Sequence, residues 1–305
     1  MYPVVLGSPP VGSIPVRSDW SGIRLTWEGP DGTVWDLNDP DGGVVLTRDG
    51  VEGLDNPRIT KHSSTARAIP GKRTRGWRAE SRDVFWPVYL WADGSTAWLE
   101  RQRAFRNSIH PTTPGTWRVK AGDEERTLQL TGVFDDTHQY ERDPMLKGWA
   151  VYGLTLEADQ PFWQGERIRR GPWGAPDPRP FIPAGGAPAF TISSSSAFGT
   201  ASIPNPGDVE GWGVWSVAGP LDEITLGVGD AIITVPFALE LTDVLVIDTD
   251  PRHPTALLNG VDATEQLGLQ DYAPVPPGES VPLHVEATGT GRIMFDLVPL
   301  FFRAF

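Results

Sequence analysis

Between Gly76 and Ile109 the chain reads GWRAESRDVFWPVYLWADGSTAWLERQRAFRNSI, and its apolar residues change period partway along. From Trp77 to Trp91 they first alternate and then fill both faces, as in Val84, Trp86, Val88 and Leu90 against Phe85, Tyr89 and Trp91. This pattern predicts one long strand buried on both sides. Pro87 has no amide hydrogen for a ladder and is expected at an edge or bulge. Beyond it Asp93, Gly94 and Ser95 offer helix-capping oxygens, and the period becomes about 3.6, with Trp98, Leu99, Phe105 and Ile109 on one side. A helix over about 94–109 follows, stopped by His110-Pro111.

Around that helix the period of two predominates. Ile23, Leu25 and Trp27 alternate with Arg24, Thr26 and Glu28, and Gly-Pro-Asp-Gly at 29–32 predicts a hairpin into a strand holding Trp35 and Leu37. Further strands are expected at 116–119, at 126–134 with Leu128 and Leu130 inward, and at 149–158 with Tyr152, Leu154 and Leu156 on one face. After residue 189 short alternating runs recur near 190–194, 212–217, 222–227, 230–237, 243–248, 255–259, 281–287 and 291–299, with no helical pattern. That is the spacing of a β-sandwich or jelly roll, and Asn259-Gly260 is a tight-turn pair within it. The final LVPLFFRAF, 297–305, reads as the last core strand, the alternative being an apolar tail that docks on a neighbour.

Composition divides the chain. Residues 1–185 hold 23 Lys+Arg against 24 Asp+Glu, and residues 186–305 hold 3 against 15, so nearly all of the net charge of -13 lies in the last third. Eleven of the 13 Trp lie at or before Trp173. The expected organisation is an N-terminal domain over 1–170, a Pro/Gly-rich linker over 171–189 and a C-terminal sandwich over 190–305. With no cysteine, disulfides, thiolate metal sites and cysteine nucleophiles are excluded. The N-terminus lacks the charged start and unbroken apolar core of a secretory signal, and no window reaches the roughly 18 apolar residues of a membrane span. Synthesis in a cytoplasm and no membrane insertion are expected.

The run RDVFWPVYLWADGSTAWLERQRAFRNSI, the TWRV and RTLQLTGVF strands and the exit KGWAVYGLTLEADQPFW resemble the N-terminal domain of siphophage distal tail proteins. IPNPGDVEGWGVWSVAGP, LVIDTDPRHPTALLNGVD and PVPPGESVPLHVEATGTGRIMF are similar to the galectin-like C-terminal sandwich of that family. The resemblance rests on order and spacing, not on a catalytic signature. It implies a mainly β protein, an antiparallel sheet domain with one helix followed by a galectin-like β-sandwich. It also implies a structural virion protein at the distal end of the tail and a homo-hexameric ring. Its implied partners are the tail tube protein, the tail hub and the fibre or receptor-binding proteins. Heavy use of Trp, Arg, Pro and Gly matches a phage of a GC-rich actinobacterial host, whose equivalents are called minor tail proteins.

A ring of this kind needs two different patches on each subunit that meet head to tail. One candidate is the basic stretch Arg58, Lys61, Arg67, Lys72, Arg73, Arg75, Arg78 and Arg82, interrupted only by Glu80, read as a loop that reaches the adjacent subunit or lines the DNA passage. The plain alternative is a solvated loop. Sequence-specific nucleic-acid binding is not expected of a chain this acidic. Trp212 and Trp215 are candidates for stacking on sugar rings, which would make the chain a host-wall glycan-binding adhesin, against the reading of both as core. No enzyme, cofactor or metal is expected. Asp248 and Asp250 stand at a strand end before Pro251, where carboxylates start turns. Asp36, Asn38, Asp39 and Asp41 are interrupted by Pro40 and lack the Glu of a calcium loop. His62, His110, His138, His253 and His284 lack metal spacing, and strand-like residues follow Gly227-Val228-Gly229 where a phosphate loop needs a helix.

Overall fold

The structure, a computed structural model, describes residues 22–47, 50–134, 140, 143–174 and 201–305. It is mainly antiparallel β and forms two compact units, one of the described residues up to Gly165 together with Phe301–Phe305, the other of Glu166–Leu300.

In the first unit the predicted hairpin forms. Strand β1 (Ile23–Glu28) pairs with β2 (Val34–Asp36), Gly29 N–H donates to the Thr33 carbonyl at 2.8 Å, and Gly32 takes φ 80°, a turn conformation that glycine adopts without strain. The sheet runs β2–β1–β7–β8–β9–β6–β3, with β3 (Val44–Leu46), β6 (Arg82–Trp91), β7 (Gly115–Ala121), β8 (Glu124–Val133) and β9 (Trp149–Ala158). The short strand β10 (Trp163–Gln164) pairs with β8.

The helix α1 (Ser95–Asn107) buries Trp98 and Phe105 against the sheet. Its cap differs from expectation. Gly94 is the N-cap and no side-chain oxygen caps it; Ser95 Oγ instead donates to the Met145 carbonyl at 2.7 Å. That carbonyl lies in the single turn α2 (Pro144–Lys147), which Asp143 caps.

The expected continuous strand from Trp77 to Trp91 is two strands broken at Glu80-Ser81. Trp77 belongs to β5 (Ile69–Ala79), which pairs only with β4 (Ile59–Ala66) in a separate two-stranded ladder. Strand β6 lies within the sheet, yet β3 ends opposite Val88, so Pro87 stands where one side of β6 has become an edge. Its carbonyl accepts Thr47 N–H at 2.7 Å on that side, and its missing amide hydrogen leaves the ladder to β9 intact.

Tryptophan fills the core. The Trp27 and Trp86 rings meet edge to face at 5.3 Å, as do Trp86 and Trp117 at 5.2 Å, and the Trp117 and Trp163 rings lie tilted at 5.0 Å. Each such ring buries roughly 200 Å², worth about 5 kcal/mol at 25 cal/mol per Å². Trp27 Nε1 donates to Ser108 Oγ and Trp163 Nε1 to the Gly53 carbonyl, whereas Trp86 and Trp117 Nε1 find no oxygen or nitrogen acceptor.

The second unit has two sheets around one core. A six-stranded sheet runs β11 (Ile168–Gly174), β20 (Arg292–Leu297), β13 (Gly213–Ala218), β16 (Val244–Asp248), β17 (Thr255–Leu258), β18 (Val261–Asp262). A four-stranded sheet runs β12 (Ala201–Pro204), β19 (Ser280–Gly289), β14 (Leu221–Val228), β15 (Ala231–Thr234). Trp215, Ile247 and Phe295 from the first meet Leu226, Ile233 and Val285 from the second. Asn259 and Gly260 take φ 53° and 80°, as the tight turn requires. A single helical turn, α3 (Thr264–Leu267), interrupts the otherwise all-strand pattern. The predicted linker at 171–189 begins inside β11, whose pairing with β20 places 171–174 in a sheet; 175–189 and the strand expected at 190–194 lie outside the described residues.

The C-terminus corrects another expectation. Strand β20 ends at Leu297, and after β21 (Leu300–Phe301) the last residues join the core of the first unit. Ala304 is buried there and donates its N–H to the Leu54 carbonyl at 2.8 Å. The guanidinium of Arg126 lies 3.8 Å over the Phe301 ring and donates to the Arg303 carbonyl at 2.8 Å. Alternation alone cannot say which core a terminal aromatic run enters.

Candidate functional site

The predicted basic loop is an extended arm, the hairpin of β4 and β5. Eight residues at about 3.3 Å each make it roughly 26 Å long. Its tip is the turn Arg67-Ala68, between the paired residues Ala66 and Ile69. Residues directly opposite in an antiparallel pair share a face, so the register assigns the basic residues. Thr60 opposes Arg78, His62 opposes Gly76 and Ser64 opposes Arg73, and Arg75 is the extra residue of a bulge. Arg75 Nε donates to Ser64 Oγ at 3.0 Å, which turns it to the Ser64 side. Arg58 precedes the strand, in step with Thr60. Arg58, Arg73, Arg75 and Arg78 therefore line one face, with His62 and two hydroxyls between them.

The one acid there is Glu80. Both of its oxygens accept from Arg78 Nη2 at 2.9 Å, which, aided by Thr60, holds its carboxyl below the usual range. Lys61 lies on the opposite face, paired with Trp77, whose ring is 49% exposed and 5.9 Å from Phe302. Lys72 sits beside the tip in the irregular part of β5. From residue 58 to residue 80 there are seven Lys+Arg and one acid, an excess of +6 (7 − 1).

Arg82 does not belong with them. It is 3% exposed, and its guanidinium donates to the carbonyls of Pro161 (2.6 Å), Gly53 (2.7 Å), Phe302 (2.7 Å) and Asp55. Burial lowers its pKa to about 10, opposed by Asp55, so it stays charged at neutral pH. It ties the chain near Gly53, the segment after β9 and the C-terminus into one knot. Its place at the end of a basic run hid that role, because sequence spacing says nothing of which carbonyls converge on a side chain.

The two tryptophans proposed for sugar stacking are separated by burial. Trp215 is 0% exposed, 4.5 Å from Phe295 in the core, and cannot stack on a ligand without unfolding. Trp212 is half-buried, just before β13. Asp248 accepts Asp250 N–H at 3.0 Å. Burial works to raise Asp250, but hydrogen bonds and charge from Arg252 outweigh it and leave the pKa lowered, the opposite of what a general acid needs. Asp36 pairs with Arg24 at 3.1 Å and accepts Asn38 N–H; Asn38 Oδ1 accepts Leu25 N–H, and Asp39 accepts Asp41 N–H. These oxygens make turns. His110 Nδ1 caps Thr112 and Thr113 N–H, His284 lies 3.6 Å from Glu286, His62 and His253 are exposed, and His138 lies outside the described residues. Among the described residues no three His, Asp or Glu converge on a common point. Gly227 and Val228 end β14 opposite β15, inside a sheet.

No protein-family model and no curated protein matches the chain. Among solved structures, the fold is that of phage distal tail and baseplate proteins. One neighbour is the SPP1 Dit protein, described as a paradigm of the hub adsorption apparatus in phages infecting Gram-positive hosts. It matches with a TM-score of 0.60 and 15% identity, over 92% of this chain and 99% of that one. Two others come from the phage P2 baseplate in its activated conformation. The form with calcium gives TM-score 0.53, 14% identity and coverage of 91% and 98%, and the form with strontium 0.53, 13%, 90% and 97%.

Proposed function

We propose that this chain is a structural protein of a siphophage tail tip, a distal tail protein. In this reading it forms a homo-hexameric ring at the end of the tail tube and carries the hub and the fibre or receptor-binding proteins. It is synthesised in the host cytoplasm and ends in the virion. Its first unit builds the ring, and its second is a galectin-like sandwich that presents partners.

The observation that carries the ring is the arm. A two-stranded ladder with no third strand is marginal by itself in water, and among the described residues no side chain of β4 is fully buried. A basic ribbon of this length is suited to a surface on a neighbouring subunit, and a head-to-tail contact of this kind closes into a ring. The likeness to SPP1 Dit over nearly the full length of both chains supports the same reading.

Solution mass by light scattering, with negative-stain images of the same fraction, tests it. Six chains of 33.3 kDa give about 200 kDa, and a ring with a central hole is expected. Arg73→Glu with Arg75→Glu is expected to leave the fold intact and weaken assembly of the ring. An unchanged ring in that variant overturns the role of the arm.

A further inference from the structure

The sheet of the first unit has an outer face of two kinds. On β1, β7 and β8 the residues pointing away from the core include Arg24, Glu28, Arg118 and Gln129, with Arg118 paired to Glu28 at 2.6 Å. On β6 and β9 they include Phe85, Trp91, Trp149 and Val151, half-buried or exposed, and none of the outward positions of these two strands is Lys or Arg. At one end of this aromatic strip Asp83 stands directly opposite Glu157. Like charges directly opposite in a ladder repel. Neither carboxylate has a hydrogen bond or ion pair from a side chain among the described residues. The repulsion is thus uncompensated among the described residues.

We propose that the outer face of β6 and β9 is the acceptor for the β4–β5 arm of a second copy. This rests on the ring reading above and adds where the arm lands. Charge complementarity selects the occupant. The strip presents several ring faces and two carboxylates without a side-chain partner among the described residues, and guanidinium groups satisfy both, by paired hydrogen bonds to carboxylate and by stacking on aromatic rings. The arm carries Arg58, Arg73, Arg75 and Arg78 on one face. Donor and acceptor are different patches of the same chain, as a head-to-tail contact demands.

The chain has no cysteine, so single cysteines report contacts without background. Arg73→Cys protein is mixed under mild oxidation with Glu157→Cys protein, and separately with Lys120→Cys, which lies on β7 of the same sheet, outside the strip. A mixed disulfide of one chain of each kind, told from like–like dimers by a mass tag on one partner, is expected only with Glu157→Cys. In parallel, Arg73→Glu/Arg75→Glu and Asp83→Lys/Glu157→Lys are each expected to raise the concentration for half assembly at least about tenfold. Mixing the two variants is expected to recover assembly at the contacts where both reversed patches meet, a recovery that misfolding cannot produce. A wild-type ring with no Arg73–Glu157 cross-link, or with unchanged assembly of the Asp83→Lys/Glu157→Lys variant, overturns the acceptor assignment and leaves the ring standing. A wild-type chain that is monomeric at every concentration overturns both.

Discussion

Replacing Arg82 by Met keeps the aliphatic stem and removes every donor. Four carbonyls then lose a charged partner, those of Gly53, Asp55, Pro161 and Phe302. Hydrogen bonds from charged donors contribute about 1.5–3 kcal/mol each, so simple addition gives roughly 6–12 kcal/mol, an upper bound. Two terms reduce it. Burying the guanidinium, which lowers its pKa from 12.5 to about 10, has a cost of about 3 kcal/mol that the variant no longer bears. Asp55 is exposed and Gly53 and Phe302 are half-buried, so water reaches part of the vacated carbonyl shell. Taking about 3 kcal/mol from roughly 6–12 and allowing for the hydrated carbonyls leaves an expected loss of about 3–5 kcal/mol, the cost of neutral acceptors left without their charged donor. Urea unfolding followed by tryptophan fluorescence measures it, because Trp163 donates to one of the same carbonyls and Trp77 contacts Phe302. Arg82→Lys should recover less than half of the loss, since an ammonium cannot present the same fork of donors. Hydrogen exchange at Ala304, whose N–H is bonded to Leu54, should speed up in both variants. A loss below about 1 kcal/mol for Arg82→Met would refute the reasoning, because the knot would then be held by apolar packing alone.

Three further outcomes follow from the second unit. A Cβ added at Gly213 would lie 2.0 Å from the Phe295 ring, so Gly213→Ala should cost about 1–3 kcal/mol in thermal or urea unfolding, whereas Gly260→Ala, in open space at φ 80°, should cost only the left-handed strain of roughly 1–2 kcal/mol per residue. Asp296 is held below its ordinary pKa, chiefly by Arg169, which donates at 2.7 and 2.8 Å, with Arg167 adding charge. A carboxylate depressed on folding stabilises above its unfolded pKa of about 4 and loses that stabilisation as pH falls through the folded value, so stability should drop in acid and drop less steeply in Asp296→Asn. Trp215→Ala should cost about 3–5 kcal/mol and Trp212→Ala less than half of that, by the same unfolding assays; equal losses would contradict the burial difference.

Much of the fold could be read from periodicity. The β1–β2 hairpin, the helix with Trp98 and Phe105 inward, and β7, β8 and β9 all follow from local alternation and turn chemistry, because each pattern reports the period of the element that contains it. The same logic failed at Trp77, whose apolar character joined it to the next strand although Glu80-Ser81 breaks the ladder. It failed again at the C-terminus, where an aromatic run can enter any core that has room.

The site was legible only as composition. A basic stretch was visible, but not that it is a two-stranded arm, that four of its arginines share a face, or that Arg82 leaves it for the interior. Asp83 and Glu157 are 74 residues apart and become opposites only through the register of β6 with β9.

Most element types and the turns follow from neighbours within a few residues, and the lack of thiol chemistry and the division of charge follow from composition. Which strands pair, which tryptophan is core and which basic side chain is buried emerge only in the folded chain. Those outcomes depend on contacts between residues far apart in the chain, where burial and hydrogen-bond partners are assigned by the fold rather than by the local pattern.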